Sequence, residues 1–173
     1  DYYQATRGGG NGDYRTVVLA PSTIQEAADL TQEAFDIADC YRIPVVVLAD
    51  GMIGQMMEAI EWHTPAHRAL PLKDWATDGT QNAREHHVIN SLYIDAKDCT
   101  EQNRKLQLKH DRITEKEIRF EEFQADDAEV LFVAYGTTAR IARAAVLTLR
   151  KQGVKAGLFR PITLWPFPEQ ALH

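Results

Sequence analysis

The sequence predicts an α/β protein made of two partial βαβ domains with parallel sheets, one after the other along the chain. In the first half, apolar runs at residues 16–20 and 45–49 flank a segment with helical apolar spacing. The same order returns in the second half, where residues 130–134 and 154–159 flank another helical segment. Short connections of this kind favour parallel strands joined by a helix.

The first helix is expected over residues 23–41. Thr23 and Glu26 have the spacing of a capping box, and Pro44 prevents the helix from continuing. The residues before the first strand, 1–14, are polar and rich in glycine, so they are interpreted as a loop.

The middle of the chain lacks a sustained period. A short helix is predicted near residues 55–60 and a short strand at residues 90–94. Residues 101–122 are dense in charge and carry only a thin apolar stripe, which predicts a largely exposed helix.

The second helix should begin at the turn formed by residues 135–138. Backbone amides at such a helix start could bind an anion, using Gly136 and Thr137. The favoured interpretation is that Thr137 or Thr138 simply caps the helix. Gly153 lies where a glycine commonly ends a helix.

Composition excludes several classes of function. The net charge of −6 argues against nucleic acid or an anionic membrane surface as a partner. No apolar run approaches the ~20 residues of a membrane-spanning helix. Cys40 and Cys99 are far apart, so this chain alone should not ligate an iron–sulfur cluster or zinc. Reduced thiols and a cytoplasmic location are expected.

Motifs for catalysis or metal binding are weak. Residues 8–10, three consecutive glycines, could cradle a phosphate, but no strand precedes them and no P-loop lysine follows. His63 and His67 have helical spacing, yet Pro65 lies between them. No metal site is expected, and no catalytic residue is identified.

Four segments of the chain are distinctive when taken together: TRGGGNGDY at residues 6–14, VVLAPS at 17–22, LADG at 48–51 and RPITLWPFP at 160–168. They resemble the 2-oxoacid:ferredoxin oxidoreductases, and among these most of all the 2-oxoisovalerate or 2-oxoglutarate enzymes. The resemblance implies that residues 1–60 are the C-terminal half of a pyrimidine-type thiamine diphosphate domain. Residues 61–97 would be a linker. Residues 98–173 would be an incomplete domain similar to the carboxy-terminal domain of transketolases.

The resemblance also implies an activity for the whole enzyme. A 2-oxoacid is decarboxylated on thiamine diphosphate, the acyl group passes to coenzyme A, and electrons reach ferredoxin through iron–sulfur clusters. The diphosphate, its magnesium ion and the clusters would belong to other subunits. We therefore expect an internal fragment that binds no cofactor by itself, is inactive alone, and serves as scaffold and subunit interface.

The same resemblance places Arg7, Gly8, Gly9 and Gly10 beside the cofactor cleft as candidate cofactor-binding residues. Two alternatives stay open. One is a coenzyme A or nucleotide-binding α/β module that uses the helix start at Gly136. The other is a non-enzymatic interaction subunit that docks a partner through the helix at residues 101–122.

Overall fold

The computed structural model describes residues 2–10, 12, 14–63 and 68–172. The helices in these ranges are α1 (Tyr2–Thr6), α2 (Ile24–Tyr41), α3 (Gly51–Gln55), α4 (Ala96–Lys116), α5 (Gly136–Lys151) and α6 (Glu169–Leu172). The strands are β1 (Val17–Leu19), β2 (Val45–Val47), β3 (Phe120–Phe123), β4 (Val130–Val133), β5 (Ala156–Pro161) and β6 (Thr163–Trp165). They form two three-stranded sheets, in the orders β2-β1-β6 and β3-β5-β4.

The first sheet contains the first predicted βαβ unit. Strands β1 and β2 are parallel, with Val17 opposite Val45, and α2 connects them. One face of the sheet, with Val17 and Leu19, packs against α2 and the buried Ile113 of α4. Because alternate residues of a strand point to opposite faces, Val18 lies on the other face, in contact with α1.

The second sheet contains the second predicted unit. Strands β4 and β5 are parallel, with Val130 opposite Ala156, and α5 connects them. Ala142 and Val146 of α5 pack against Leu158 of β5. The predicted α/β class, with a parallel βαβ unit in each half, is therefore confirmed.

Each sheet also contains an antiparallel strand that the sequence analysis did not predict. Strand β3 pairs with β5, and β6 returns to the first sheet to pair with β1. Because β5 and β6 are separated only by Ile162, residues 156–165 connect the two sheets directly.

Several local predictions were wrong. Residues 2–6 form a helix, not a loop, because α1 packs its apolar side chains against the first sheet. The short helix after β2 begins at Gly51, where Asp50 caps it, and residues 90–94 form no strand. The predicted charged helix is present, but it starts at Ala96, capped by Asp95, and ends at Lys116, before β3. No helix within the described residues is long and apolar enough to cross a membrane.

Candidate functional site

One carboxylate connects the carboxyl ends of β2 and β4. Asp50 follows β2, and its Oδ1 accepts hydrogen bonds from the amides of Met52 and Ile53, each at 3.0 Å. Its Oδ2 accepts a hydrogen bond from the amide of Thr137 at 3.1 Å. A single side chain thus caps its own helix, α3, and also α5, which lies 87 residues further along the chain.

The start of α5 is shaped to receive this carboxylate. Gly136 has a φ of 59°, and a Cβ there would lie 3.3 Å from Asp50 Oδ2. Hydrogen bonds from Thr137 and from the amides of Ile53 and Met52 hold the pKa of Asp50 below its ordinary value. The prediction that Thr137 or Thr138 caps this helix was wrong. Tyr135 has that position and makes no side-chain capping bond, so Asp50 supplies the bond instead.

A second connection joins α2 to β5. Arg160, almost fully buried, donates from both terminal nitrogens to Glu26, at 2.9 and 2.5 Å, and also to Glu121 at 3.0 Å. Glu26 in turn accepts hydrogen bonds from the amide and hydroxyl of Ser22, at 2.7 and 3.0 Å. Thr23 accepts a hydrogen bond from the Glu26 amide, which confirms its predicted capping role.

A third connection involves the start of α2. Glu58 accepts a hydrogen bond from the amide of Ile24 at 3.1 Å and pairs with Arg140 of α5 at 2.9 Å. We refer to these three connections, centred on Asp50, Arg160 and Glu58, as the junction. It lies at the carboxyl edge, where an open α/β sheet commonly binds a ligand.

The glycine-rich loop folds back on α1. A Cβ at Gly9 would lie 2.5 Å from Gln4 Cγ and 2.8 Å from Gln4 O, so only glycine fits there without a shift. Gly8 has a φ of 81°, which also favours glycine. Gly10 faces the ring of Tyr14, and Arg7 is exposed at the end of α1. Packing and backbone conformation therefore account for Gly8 and Gly9.

Glu117 is a buried acid whose partners the sequence did not predict. Glu117 has no exposed surface, accepts a hydrogen bond from the Tyr41 hydroxyl at 2.6 Å, and pairs with Arg68. Arg119 lies 3.6 Å from its other oxygen. The thin stripe predicted on the charged helix consists of Leu106, His110, Ile113 and Glu117. Membership of that stripe is the sequence signal that Glu117 faces inward. The cluster holds Arg68, in the irregular middle segment, against the first sheet.

The described residues contain no group of three or more His, Cys, Asp or Glu side chains arranged to hold a metal ion. His67 and Pro65 lie outside those residues, so the predicted relation of His67 to His63 is not described. His63 is exposed and lies 3.6 Å from Asp29. Cys40 and Cys99 are free thiols.

Comparison with known protein families assigns both halves of the chain. Residues 1–128 match the family described as pyruvate flavodoxin/ferredoxin oxidoreductase, thiamine diphosphate-binding. The chain belongs to this family of 2-oxoacid:ferredoxin oxidoreductases. Residues 128–173 match core domain II of pyruvate:ferredoxin oxidoreductase. The resemblance stated from the sequence is thereby confirmed.

Individual relatives agree with the family assignment. The chain is 47% identical over 173 residues to the ketoisovalerate oxidoreductase subunit VorB of Methanothermobacter thermautotrophicus, covering 100% of this chain and 49% of the relative. It is 32% identical over 190 residues to the 2-oxoglutarate synthase subunit KorA of Methanocaldococcus jannaschii, covering 96% and 51%. The chain thus spans about half the length of the curated relatives it matches.

A solved structure shares the fold. The 2-oxoglutarate:ferredoxin oxidoreductase from Magnetococcus marinus matches with a TM-score of 0.75 at 21% identity, over 96% of this chain and 34% of the other. That protein was solved with 2-oxoglutarate, coenzyme A and succinyl-CoA bound.

Proposed function

We propose that this chain is part of a subunit of an enzyme that oxidatively decarboxylates a 2-oxoacid to an acyl-CoA, with ferredoxin as electron acceptor. The observation that carries the proposal is the family match over residues 1–128. The 47% identity to a ketoisovalerate oxidoreductase subunit favours a branched-chain 2-oxoacid as substrate.

The family description implies thiamine diphosphate, which when bound supplies an electron sink for decarboxylation. The junction does not fit a diphosphate, because Asp50 and Glu58 already occupy the amides at the starts of α5 and α2. The space that Gly9 leaves open is taken by Gln4. The junction and the glycine-rich loop therefore supply no group that acts on this cofactor. The diphosphate, its magnesium ion and the iron–sulfur clusters are proposed to be held by other parts of the enzyme.

The proposed role of this chain is scaffold and subunit interface. The junction fixes the first sheet against the second through ion pairs and shared helix caps. Residues 56–95 contain no helix or strand among the residues described, and they expose large apolar side chains. Met57, Leu72 and Ile94 are 97%, 92% and 87% exposed, which favours contact with other subunits.

The proposed division of the chain remains residues 1–60, 61–97 and 98–173. The irregular segment at residues 56–95 supports the linker. Strand β6 and Ile113, both within residues 98–173, pack with the first sheet, so the two outer ranges share one core. We likewise propose a cytoplasmic location, with ferredoxin and coenzyme A reached through the assembled enzyme.

The test of the proposed function is a substrate panel. The full-length polypeptide is purified with its companion subunits, and reduction of ferredoxin is followed with 2-oxoisovalerate, 2-oxoglutarate or pyruvate plus coenzyme A. We expect 2-oxoisovalerate to give the highest kcat/KM. Reduction that does not depend on any 2-oxoacid would overturn the proposal.

The alternative of a coenzyme A or nucleotide-binding module at Gly136 gains no support, because the Thr137 amide already donates to Asp50. Calorimetry with coenzyme A and adenine nucleotides separates this alternative from the proposed function. A ligand bound at Gly136 should bind a Gly136→Ala variant more weakly than the wild type. The alternative of a non-enzymatic interaction subunit predicts a complex without oxoacid-dependent turnover.

The candidate residues Arg7, Gly8, Gly9 and Gly10 are proposed to lie near the cofactor cleft of the whole enzyme. Arg7 supports this proposal by its exposed position beside the loop. In the assembled enzyme, Arg7→Ala should raise the apparent KM for the oxoacid or the cofactor, whereas Arg104→Ala, on the exposed side of α4, should not. Unchanged turnover and unchanged KM values for Arg7→Ala would refute its placement.

A further inference from the structure

A groove of about 660 Å³ lies at the amino edge of the first sheet, on the opposite side from the junction. It runs between the residues that precede β1 and β2 and one side of α4. We refer to it as the basic groove, after its lining residues Arg15, Arg42, Lys109 and His110.

Among the residues that the structure describes, Arg15, Arg42 and Lys109 have no carboxylate partner. Arg15 and Lys109 donate instead to backbone carbonyl oxygens, those of Tyr14 and Arg42 respectively. The guanidinium of Arg42 lies 4.4 Å above the ring of Trp75.

This concentration of positive charge is unusual for the chain, which has 25 acidic and 19 basic residues. Asp111 is the acidic side chain in the lining. Like charges this close repel one another, and an anion placed between them relieves that repulsion. The lowered pKa of Lys109, caused by burial and then by Arg42, agrees with this crowding.

We propose that the basic groove binds a phosphate-bearing anion. Guanidinium groups match phosphate oxygens in pairs, and an ammonium group adds a third charged donor. Asn103, Gln107 and Thr114 contribute neutral polar groups to the same lining. The indole of Trp165, with His110 edge-on at 5.8 Å, provides an apolar wall.

The size of the groove leaves room for more than a phosphate group, since pockets of about 300–1,000 Å³ hold drug-sized ligands. Two sources share the required chemistry, an inorganic polyphosphate and an organic phosphate such as a nucleotide. This inference does not depend on the proposed oxidoreductase activity, because the groove lies at the sheet edge away from the junction.

The test compares three versions of the full-length polypeptide, each in its assembled complex: the wild type, a groove variant and a control. The groove variant is Arg15→Gln/Lys109→Gln. The control, Arg104→Gln/Lys105→Gln, removes the same charge from exposed positions of α4 outside the groove. Isothermal titration with pyrophosphate and with ADP gives the affinities, and circular dichroism compares the folding of the three proteins.

At least one of the two probes should bind to the wild type and to the control with the same affinity. The groove variant should bind that probe at least about tenfold more weakly, because charge-assisted hydrogen bonds are lost. Tighter binding of ADP than of pyrophosphate identifies an organic phosphate, and equal affinities identify a polyphosphate. Equal binding by all three proteins overturns the proposal, as does the absence of binding to wild type. The wild-type affinity should also fall as salt is raised, and an affinity indifferent to salt overturns it too.

Discussion

Replacing Arg160 with methionine removes the central cation of the junction. Its side chain is only 5% exposed, and it bonds both oxygens of Glu26 as well as one oxygen of Glu121. Methionine keeps an unbranched apolar side chain in the same space. The two carboxylates then face each other without the cation that they share.

The size of the effect follows from burial. Removing one partner of a fully buried ion pair costs about 3–5 kcal/mol. The carboxylates of Glu26 and Glu121 are 31% and 36% exposed, so water compensates part of the loss, and Glu121 keeps its contact with Arg143. We therefore expect a loss of about 2–3 kcal/mol in the free energy of unfolding. With a urea m-value of about 2 kcal/mol/M, the midpoint should fall by about 1–1.5 M.

Urea unfolding followed by circular dichroism measures this shift. The matched control is Arg143→Met, which removes a 37% exposed arginine from the same carboxylate, Glu121. Its cost should stay below about 1 kcal/mol, as for exposed ion pairs, so its midpoint should fall by about 0.5 M or less. If the two variants unfold at the same urea concentration, the buried Arg160 contributes no more to the free energy of unfolding than the exposed Arg143. That result would refute the prediction.

Three further predictions concern the same junction. Gly136→Ala should lower the melting temperature more than Gly153→Ala: both positions have positive φ, but only at Gly136 would the added Cβ approach a carboxylate, at 3.3 Å. Asp50→Ala should cost about 1 kcal/mol, the usual cost of losing a helix cap, and amide hydrogen exchange should speed up at the starts of both α3 and α5. Exchange that changes only in α3 would contradict the double cap. The junction should also weaken in acid, because Glu26 becomes protonated. Between pH 5 and pH 3 the urea midpoint should therefore fall less for a Glu26→Gln variant than for the wild type.

The sign of this pH effect follows from the pKa of Glu26. Burial raises that pKa, but hydrogen bonds from Arg160 and Ser22 outweigh burial and hold it below its ordinary value of 4.5. A carboxyl group whose pKa is lower in the folded chain stabilises the fold fully above the unfolded value. This contribution is lost as pH falls through the folded value. An equal acid sensitivity of wild type and Glu26→Gln would show that Glu26 is not the group responsible.

Elements with a strong local period were predictable from the sequence. The apolar runs of β1, β2, β4 and β5 and the helical stripes of α2 and α5 depend on neighbours within a few residues. Strands β3 and β6 depend on partners far along the chain. The sequence FEEF at Phe120–Phe123 continued a charged stretch, and its strand character comes from pairing with β5.

The contacts at the site were less predictable for the same reason. From the sequence, Asp50 stands out only within the segment LADG, and nothing local indicates that it caps a helix 87 residues away. The threonines at the start of α5 are good capping residues by type. Tertiary contact replaced them with a carboxylate from the other unit. Arg160 stands in the sequence only as the first residue of the segment RPITLWPFP, and its burial follows from the approach of α2.

We propose above that this chain is part of a thiamine diphosphate-dependent enzyme that oxidises a 2-oxoacid. The most direct test of that proposal is release of carbon dioxide from carboxyl-labelled 2-oxoisovalerate by the assembled enzyme, with and without added thiamine diphosphate after cofactor removal. We predict release that requires the cofactor and is accompanied by reduction of ferredoxin. Release that is indifferent to the cofactor, or no release from any 2-oxoacid tested, would contradict the proposal.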